Sequence, residues 1–207
     1  LFRSNRVRFL GYNTTPYKVV AFAIAAALAP ASAEAAASMK SAAIARANTL
    51  IGNQAAAVRK HAADAFVASD ASVDANGTEH VRYQRSFRGM PVIGGDFVVH
   101  SRNGKLAGVS QTLATASRPA LAARIGADQA IVEAGSRFGS HFIGAPTSRM
   151  VVFARNTAPV LAHEVVFNGI KADQTPTEMH YFVDANSGRV LDQWDAYARE
   201  IGNTETA

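Results

Sequence analysis

The sequence predicts an α+β protein in which two small modules each pack a helix on an antiparallel sheet, behind an N-terminal signal helix. Three observations support this. Residues 34–65 are rich in alanine and carry larger apolar residues at helical spacing. From Phe66 onward apolar and polar residues largely alternate, which is typical of strands buried on one face. A second helical segment, residues 127–138, is followed by a further series of strand-like segments.

The composition is that of a globular chain without redox or metal-thiolate chemistry. Of the 207 residues, 48% are hydrophobic and 18% are charged, which is enough apolar material for a packed core. The absence of cysteine excludes disulfides, thiolate nucleophiles and cysteine-based zinc sites. The net charge of +5 is concentrated in residues 1–33, because the remainder is nearly balanced. A nucleic-acid-binding surface is therefore not predicted.

The first 33 residues have the layout of a secretory signal peptide. A basic segment ends at Lys18, an apolar run covers residues 19–29, and small residues follow at Ala31 and Ala33. This predicts cleavage after about Ala33 and a secreted or periplasmic protein. The apolar run is shorter than the ~20 residues that a helix needs to cross a bilayer. An uncleaved N-terminal anchor is the alternative interpretation.

The strands and turns can be placed by periodicity and by turn residues. Residues 78–87 alternate strongly, and Asn103-Gly104 is suited to a tight hairpin between two further strands. Pro91 and three glycines within residues 88–95 predict an irregular loop, and residues 112–124 predict a break between the modules. The remaining predicted strands are 96–101, 106–111, 150–154, 160–167, 179–184 and 189–194.

One segment begins like a zinc-protease motif. His163 and Glu164 are followed by two residues, but Phe167 occupies the place of the second histidine. The surrounding sequence is β-branched and aromatic, which favours a strand, and on a strand residues four apart are separated by ~13 Å. No metal site is predicted here. The other histidines are expected to be solvated or hydrogen bonded, since none forms a close pair with ligand spacing in the sequence, and no other catalytic motif is present.

Two longer segments carry a family resemblance. "HVRYQRSFRGMPVIGGDFVVHSRNGK", residues 80–105, resembles the fungalysin/thermolysin propeptide (FTP) motif in its Arg-Tyr pair, its Arg-Gly-x-Pro-Val turn and its Gly-Gly-Asp step. "LAHEVVFNGIKADQTPTEMHYFVDANSGRVLDQWD", residues 161–195, is similar to the PepSY-type module that follows it in such prosegments. The resemblance implies two modules of cystatin-like or PepSY-like fold.

This resemblance implies a non-catalytic prosegment of a thermolysin-like zinc metalloprotease, which inhibits the protease and assists its folding. The partner is then a thermolysin-like catalytic domain, in cis or in trans. The 207 residues contain no HExxH sequence, so neither enzymatic activity nor a cofactor is expected. The predicted organisation is 1–33 signal peptide, 34–65 helical lead-in, 66–115 FTP-like module, 116–125 linker, 126–198 PepSY-like module and 199–207 processing linker.

Two alternatives remain open at this point. The chain could be a freestanding extracytoplasmic inhibitor that binds proteases in trans, or an enzyme whose site has no recognised motif. The residues predicted to contact a partner lie in the glycine-framed turn and on the last strand. They are Arg88, Met90, Pro91, Val92, Ile93 and Trp194. The competing interpretation places Val92 and Ile93 in the first core and Trp194 as a buried anchor, with Arg82, Arg85 and Arg88 solvated or paired internally.

Overall fold

The computed structural model describes the backbone of residues 15–198 and the side chains of residues 33–198. The chain divides into two compact units, residues 1–42 and 43–207. Within the first unit the described residues belong to helix α1 (Thr15–Asn53), which ends in the second unit, and the side chains of residues 33–42 are exposed. No helix in the described part of the chain has the length and apolar character needed to cross a membrane.

Two of the predicted segments fall largely outside this description. The signal peptide, residues 1–33, lies outside the described side chains except for Ala33, and the processing linker, residues 199–207, lies wholly outside the described residues. Both stay predictions.

The second unit has the predicted α+β composition. Its described part contains the end of α1, the helix α2 (Ala127–Gly135), a ten-stranded sheet and a short helical stretch at residues 196–198. The strands are β1 (Asp64–Val73), β2 (Thr78–Phe87), β3 (Met90–Ile93), β4 (Phe97–Arg102), β5 (Lys105–Gln111), β6 (His141–Phe142), β7 (Thr147–Phe153), β8 (Val160–Ile170), β9 (Pro176–Asp184) and β10 (Val190–Asp195).

The strands form one mixed sheet in the order β10-β9-β8-β7-β3-β2-β4-β5, with β1 paired to β2 and β6 paired to β8. The described pairs are antiparallel except for β3 and β7, which run parallel and place Val92 opposite Val152. The sequence predicts a separate sheet for each module. The structure instead joins the two halves through β3.

The prediction of an irregular loop over residues 88–95 is wrong for its central part. Arg88 and Gly89 have positive φ angles of 47° and 82°, the conformation of a type I′ hairpin turn, and they return the chain directly along β2. Pro91 lies opposite Ser86 in a ladder of only two residue pairs, so its missing N–H disturbs few hydrogen bonds. The remaining residues of β3, Val92 and Ile93, pair in parallel with β7.

The first core lies between the end of α1 and strands β2 and β4. Its helix contributes small residues that allow close approach, and its strands contribute the alternate residues that the periodicity predicts. The buried members include Ala43, Ala47, Ile51, Val81, Tyr83, Phe97 and Val99. The rings of Tyr83 and Phe97 are stacked with centroids 5.2 Å apart, and the Tyr83 hydroxyl donates to Asn48 Oδ1 at 2.8 Å. The polar end of this buried ring is therefore satisfied.

The second core repeats this design with α2 on strands β8 and β9. Ala130 and Ala134 face the sheet, and the buried sheet residues are Val165, Phe167, Tyr181 and Val183. The helix ends at Gly135 rather than at residue 138, and Phe138 follows it to stack on Phe167 with centroids 5.1 Å apart. Burying an aliphatic or aromatic side chain of this size contributes about 2 kcal/mol, so each core is a substantial share of a domain's net stability.

The helical lead-in is shorter than predicted. The Gly52-Asn53 pair predicts a break of residues 34–65 into two helices. Helix α1 does end at Asn53, but no second helix follows it before β1. Residues 54–59 form turns instead, and β1 begins at Asp64. Arg59 has a φ of 50°, which is incompatible with a continuing helix, while Val58 is buried in the first core. The tertiary contact of Val58 thus overrides the helical propensity of the alanines before it.

Candidate partner-binding groove

Both helices pack on the same face of the sheet. The strand register from β2 through β3 and β7 to β8 shows this, because Phe87, Val92 and Val152 point to one side. Tyr83, which contacts α1, and Val165, which contacts α2, point to that same side.

We call the other side of the sheet the open face. Part of it is covered by its own apolar cluster, whose buried members are Val151, Phe153, Ala162 and Phe182. Since side chains alternate along a strand, the open face carries the even-numbered residues of β2 and β8, including His80, Gln84 and Glu164.

A groove of about 730 Å³ lies on the open face where the two halves of the sheet meet. The first half contributes Gln84 and Asp96, and β3 contributes Pro91, Val92 and Ile93. The second half contributes Arg149, Arg155 and Trp194. The groove therefore exists only because β3 pairs with both β2 and β7. Its lining combines apolar surface with charged groups of both signs.

Four of the six predicted contact residues line this groove, namely Pro91, Val92, Ile93 and Trp194. Val92 is buried in a core cluster, whereas Pro91 and Ile93 are half-buried. Arg88 and Met90 are not among the lining residues. The Arg88 guanidinium lies over the Phe87 ring at 5.9 Å, and Met90 packs against the same cluster as Val92.

Trp194 forms the wall of the groove on the side of β10. It is half-buried, its ring centroid lies 4.4 Å from that of Phe182, and it stacks on His180 at 5.9 Å. The Arg155 guanidinium lies 5.3 Å from the ring, within the range of a cation–π contact. Trp194 is thus both an anchor of the last strand and an accessible aromatic surface.

Two consecutive glycines connect β3 to the rest of the groove wall. A Cβ on Gly94 would lie 2.9 Å from the Arg155 backbone, and φ at this residue is +79°. A Cβ on Gly95 would lie 2.6 Å from Val92 Cγ1. A side chain at Gly94 would push the chain away from the Arg155 backbone, and one at Gly95 would collide with Val92 within the turn that follows β3. The close packing at both positions therefore requires glycine.

An ion-pair network adjoins the groove on the second half of the sheet. The buried carboxylate of Glu164 accepts from Arg149 Nε at 2.5 Å and contacts His180 Nδ1 at 2.8 Å. Burial alone would raise the pKa of Glu164, but hydrogen bonds from His180 and Arg149 hold this pKa below its usual value. The hydrogen bond with Glu164 raises the pKa of His180, with a second contribution from Glu178.

His163, which precedes Glu164, points to the opposite face of β8. It is buried, and its Nε2 lies 3.1 Å from the carbonyl oxygen of Ile125. The strand conformation predicted for this segment is confirmed, and it separates the two side chains to different faces. Among the residues the structure describes, no three histidine, aspartate or glutamate side chains converge as a metal-binding group.

A buried charged triad behind the groove is not evident in the sequence. Arg85 and Arg118 both donate to the carboxylate of Asp64, at 2.7 Å and 2.6 Å, and the three side chains are almost completely inaccessible. Arg85 also donates to the carbonyl oxygens of Val58 and Gly95, and its guanidinium lies about 5 Å from the rings of two phenylalanines. The predicted internal pairing of Arg85 is confirmed.

His80 and His100 are hydrogen bonded, as expected, but one partner of each is the other histidine, which their spacing in the sequence does not indicate. These residues are opposite one another on β2 and β4, and their Nδ1 atoms are 2.6 Å apart. Burial, together with the neighbouring His80, lowers the pKa of His100. Twenty residues separate the two in sequence, so only the register of the hairpin could have indicated the pair.

The comparisons with known proteins first define a class. Residues 64–113, from the first residue of β1 to just beyond β5, match the family described as Fungalysin/Thermolysin Propeptide Motif. This range contains β3 with its Gly-Gly step, as well as Asp64, Arg85 and the histidine pair. Residues 64–113 therefore belong to the fungalysin/thermolysin propeptide motif family.

Three relatives place the chain among metalloprotease precursors. It is 35% identical over 150 residues to the transglutaminase-activating metalloprotease of Streptomyces mobaraensis, covering 70% of this chain and 20% of the relative. It is 34% identical to a hemagglutinin/proteinase of Vibrio cholerae, over 65% of this chain and 23% of the relative. It is 27% identical to thermolysin of Alicyclobacillus acidocaldarius, over 59% and 24%. The chain thus spans about a fifth to a quarter of these relatives.

Among solved structures, the Bacillus megaterium YpeB C-terminal domain aligns with 75% of this chain and 64% of its own, at 14% identity and a TM-score of 0.37. A similarity this low supports no inference. Residues 64–113 of the chain thus carry the propeptide motif, and over 59–70% of its length the chain is similar to part of metalloproteases of the thermolysin type.

Proposed function

We propose that this chain is a non-catalytic prosegment that inhibits a thermolysin-like zinc metalloprotease and assists its folding. The observation that carries the proposal is the propeptide motif over residues 64–113 in a chain whose relatives are metalloproteases. Within the proposal, residues 66–115 are the FTP-like module, 126–198 the PepSY-like module, and 116–125 their linker. Residues 1–33 direct export, so the partner is met in the periplasm or outside the cell.

The groove is the surface proposed to contact the catalytic domain. Pro91, Ile93 and Trp194 offer apolar contacts, and Arg155 and Asp96 offer charges of opposite sign in the lining. Partly exposed aromatic side chains are frequent energetic centres of interfaces. A stable interface buries about 1,600 Å² in total, so the contact must extend beyond the groove over the open face.

Folding assistance and inhibition have one physical origin in this proposal. A partner that binds the native catalytic domain but not its unfolded form stabilises the native form by mass action. When the two are joined in one precursor, the effective concentration is about millimolar, so even a modest affinity gives strong stabilisation. The same contact excludes substrate from the active site until the connection is cut.

The test uses the full chain and the separately produced catalytic domain of a thermolysin-like protease. The protease is refolded from denaturant at increasing molar ratios of the chain, and native protease is assayed with a peptide substrate. We expect a several-fold higher refolding yield and dose-dependent inhibition that saturates near one chain per protease. If the chain changes neither quantity, the proposal is wrong.

Two variants make the test specific for the groove. Trp194→Ala removes an aromatic wall of the groove, and we expect it to weaken inhibition at least tenfold. Val132→Ala is the matched control, because Val132 is 69% exposed on α2, on the helix-covered side of the sheet. Inhibition without folding assistance would favour the freestanding inhibitor instead. Equal losses in both variants would argue against the groove as the contact surface.

A further inference from the structure

The histidine pair on the open face has a geometry that the proposed prosegment function does not use. His80 and His100 are direct neighbours across the β2–β4 ladder, with ring centroids 4.8 Å apart and ring planes at 72°. Their Nδ1 atoms face each other at 2.6 Å. Both side chains are partly exposed.

The remote nitrogen of each ring has its own partner. His80 Nε2 lies 3.0 Å from Asp74 Oδ2 in the turn between β1 and β2, and His100 Nε2 lies 2.8 Å from Ser110 Oγ on β5. A carboxylate only accepts, so His80 carries its proton on Nε2 and directs the Nδ1 lone pair toward His100. The Ser110 hydroxyl can accept from His100 Nε2–H and so direct the second lone pair inward.

Two inward lone pairs at this distance repel unless a positive centre lies between them. A proton on one Nδ1 satisfies that requirement, and so does a metal ion. The arrangement of the outer partners is the one found around metal-binding histidines, whose second ring nitrogen donates to a carboxylate or another oxygen and thereby fixes the tautomer.

We propose that His80 Nδ1 and His100 Nδ1 together bind one divalent transition-metal ion of the kind that prefers imidazole, with Asp74 and Ser110 as positioning residues. Zinc–nitrogen bonds of ~2.0–2.1 Å at a tetrahedral ion place two nitrogens about 3.4 Å apart. The Nδ1 atoms must therefore separate by less than about 1 Å, which small rotations of two partly exposed rings supply.

Water completes the coordination in this proposal. In the part of the chain that the structure describes, no further histidine or carboxylate converges on the two Nδ1 atoms, since Asp74 lies on the far side of the His80 ring. The site is therefore open and is expected to be weaker than a closed four-ligand zinc site. This inference does not depend on the proposed prosegment function.

The experiment titrates metal into the full chain after removal of bound ions with EDTA. Isothermal calorimetry with ZnCl2 at pH 7.5 is expected to give one zinc ion per chain, and MgCl2, which prefers oxygen ligands, is expected to give no binding. His80→Gln and His100→Gln should each weaken zinc binding at least tenfold. His141→Gln is the control, because His141 is exposed on β6, and it should bind zinc within twofold of the parent chain.

Asp74→Asn tests the positioning role without removing a ligand, and it should weaken zinc binding severalfold while the stoichiometry stays at one. Imidazole 15N spectra of the unsubstituted chain should show zinc-dependent shifts at the Nδ1 atoms of two residues, which gives an answer even where a variant fails to fold. The proposal is overturned if the parent chain binds no zinc. It is equally overturned if folded His80→Gln and His100→Gln variants bind zinc as the parent does.

Discussion

The Arg118 Nη2 atom lies 2.6 Å from Asp64 Oδ2 in a region from which solvent is almost entirely excluded. Arg118 belongs to the segment predicted as a linker, and Asp64 is the first residue of β1. The same carboxylate also accepts from Arg85. A buried ion pair thus connects the predicted linker to the first half of the sheet. The Arg118 side chain is part of the structure of that half.

We expect Asp64→Ala to destabilise the protein by about 3–5 kcal/mol, because it leaves two buried guanidinium groups without their shared counter-charge. Urea denaturation monitored by circular dichroism measures the free energy of unfolding. Asp128→Ala is the control, because Asp128 is an exposed acid in the first turn of α2, and its loss should cost less than about 1 kcal/mol. If Asp64→Ala lowers the free energy of unfolding by less than about 1 kcal/mol, the triad makes no net contribution to stability.

Gly94→Ala is expected to cost more stability than Gly104→Ala. Both glycines have positive φ angles, so both substitutions carry a similar backbone strain of about 1 kcal/mol. Only at Gly94 does the new Cβ approach the backbone of Arg155, whereas nothing lies within 4 Å at Gly104. The difference between the two unfolding free energies isolates the close approach of β3 to the second half. Equal costs would mean that this approach is not tight in solution.

The pKa of His180 is expected to lie above its ordinary value of about 6.5, and Glu164→Gln should lower it. Glu164 provides the largest upward contribution, and Glu178 a smaller one, so Glu178→Gln should lower the pKa by less. Proton NMR titration of the His180 ring measures each value. A larger effect of Glu178→Gln than of Glu164→Gln would contradict the observed geometry.

The raised pKa of His180 also has a consequence for stability. The protonated ring contributes its full stabilisation below the pKa of the unfolded chain, and this contribution is lost as pH rises through the higher folded pKa. The lowered pKa of Glu164 works in the opposite direction, so its contribution is lost as pH falls through the folded pKa of that carboxyl. Unfolding free energies of the parent chain and of Glu164→Gln should therefore converge toward acid pH.

Trp194 is the only tryptophan of the chain, which makes it a site-specific reporter of the groove. After incorporation of 5-fluorotryptophan, we expect a single 19F resonance that shifts or broadens when an unlabelled thermolysin-like catalytic domain is added. Phe142 is exposed and does not line the groove, so Phe142→Ala should leave that response unchanged. A resonance that is insensitive to the catalytic domain while inhibition is observed would place the contact elsewhere.

Much of the fold was accessible from sequence because local signals agree with tertiary structure. Strand β2 has the predicted bounds, since strict alternation and flanking turn residues mark both of its ends. The hairpin around Asn103-Gly104 is confirmed, with positive φ at both residues. The strand conformation of the His163–Glu164 segment is also confirmed. There the local signal is the set of β-branched and aromatic residues around the two polar ones.

The unpredicted features depend on partners far away in the sequence. Strand β3 is stabilised by a parallel neighbour about sixty residues later, and a four-residue strand has no periodicity of its own to reveal it. Arg118 and Asp64 are 54 residues apart, and nothing in either local sequence indicates the other. His80 and His100 become neighbours only when the register of β2 and β4 is known. The groove depends on the first of these relationships, the pairing of β3 with β7. Its lining residues could therefore be proposed one by one from the sequence, but their assembly into a groove could not.

The parallel ladder between β3 and β7 has a consequence for how the protein unfolds. If either half unfolds, the other half loses a strand partner and the apolar contact between Val92 and Val152. Calorimetry should therefore record a single cooperative transition whose van't Hoff and calorimetric enthalpies agree. The stretch that carries the propeptide motif is, in this sense, a recognisable piece of sequence but not an autonomous folding unit.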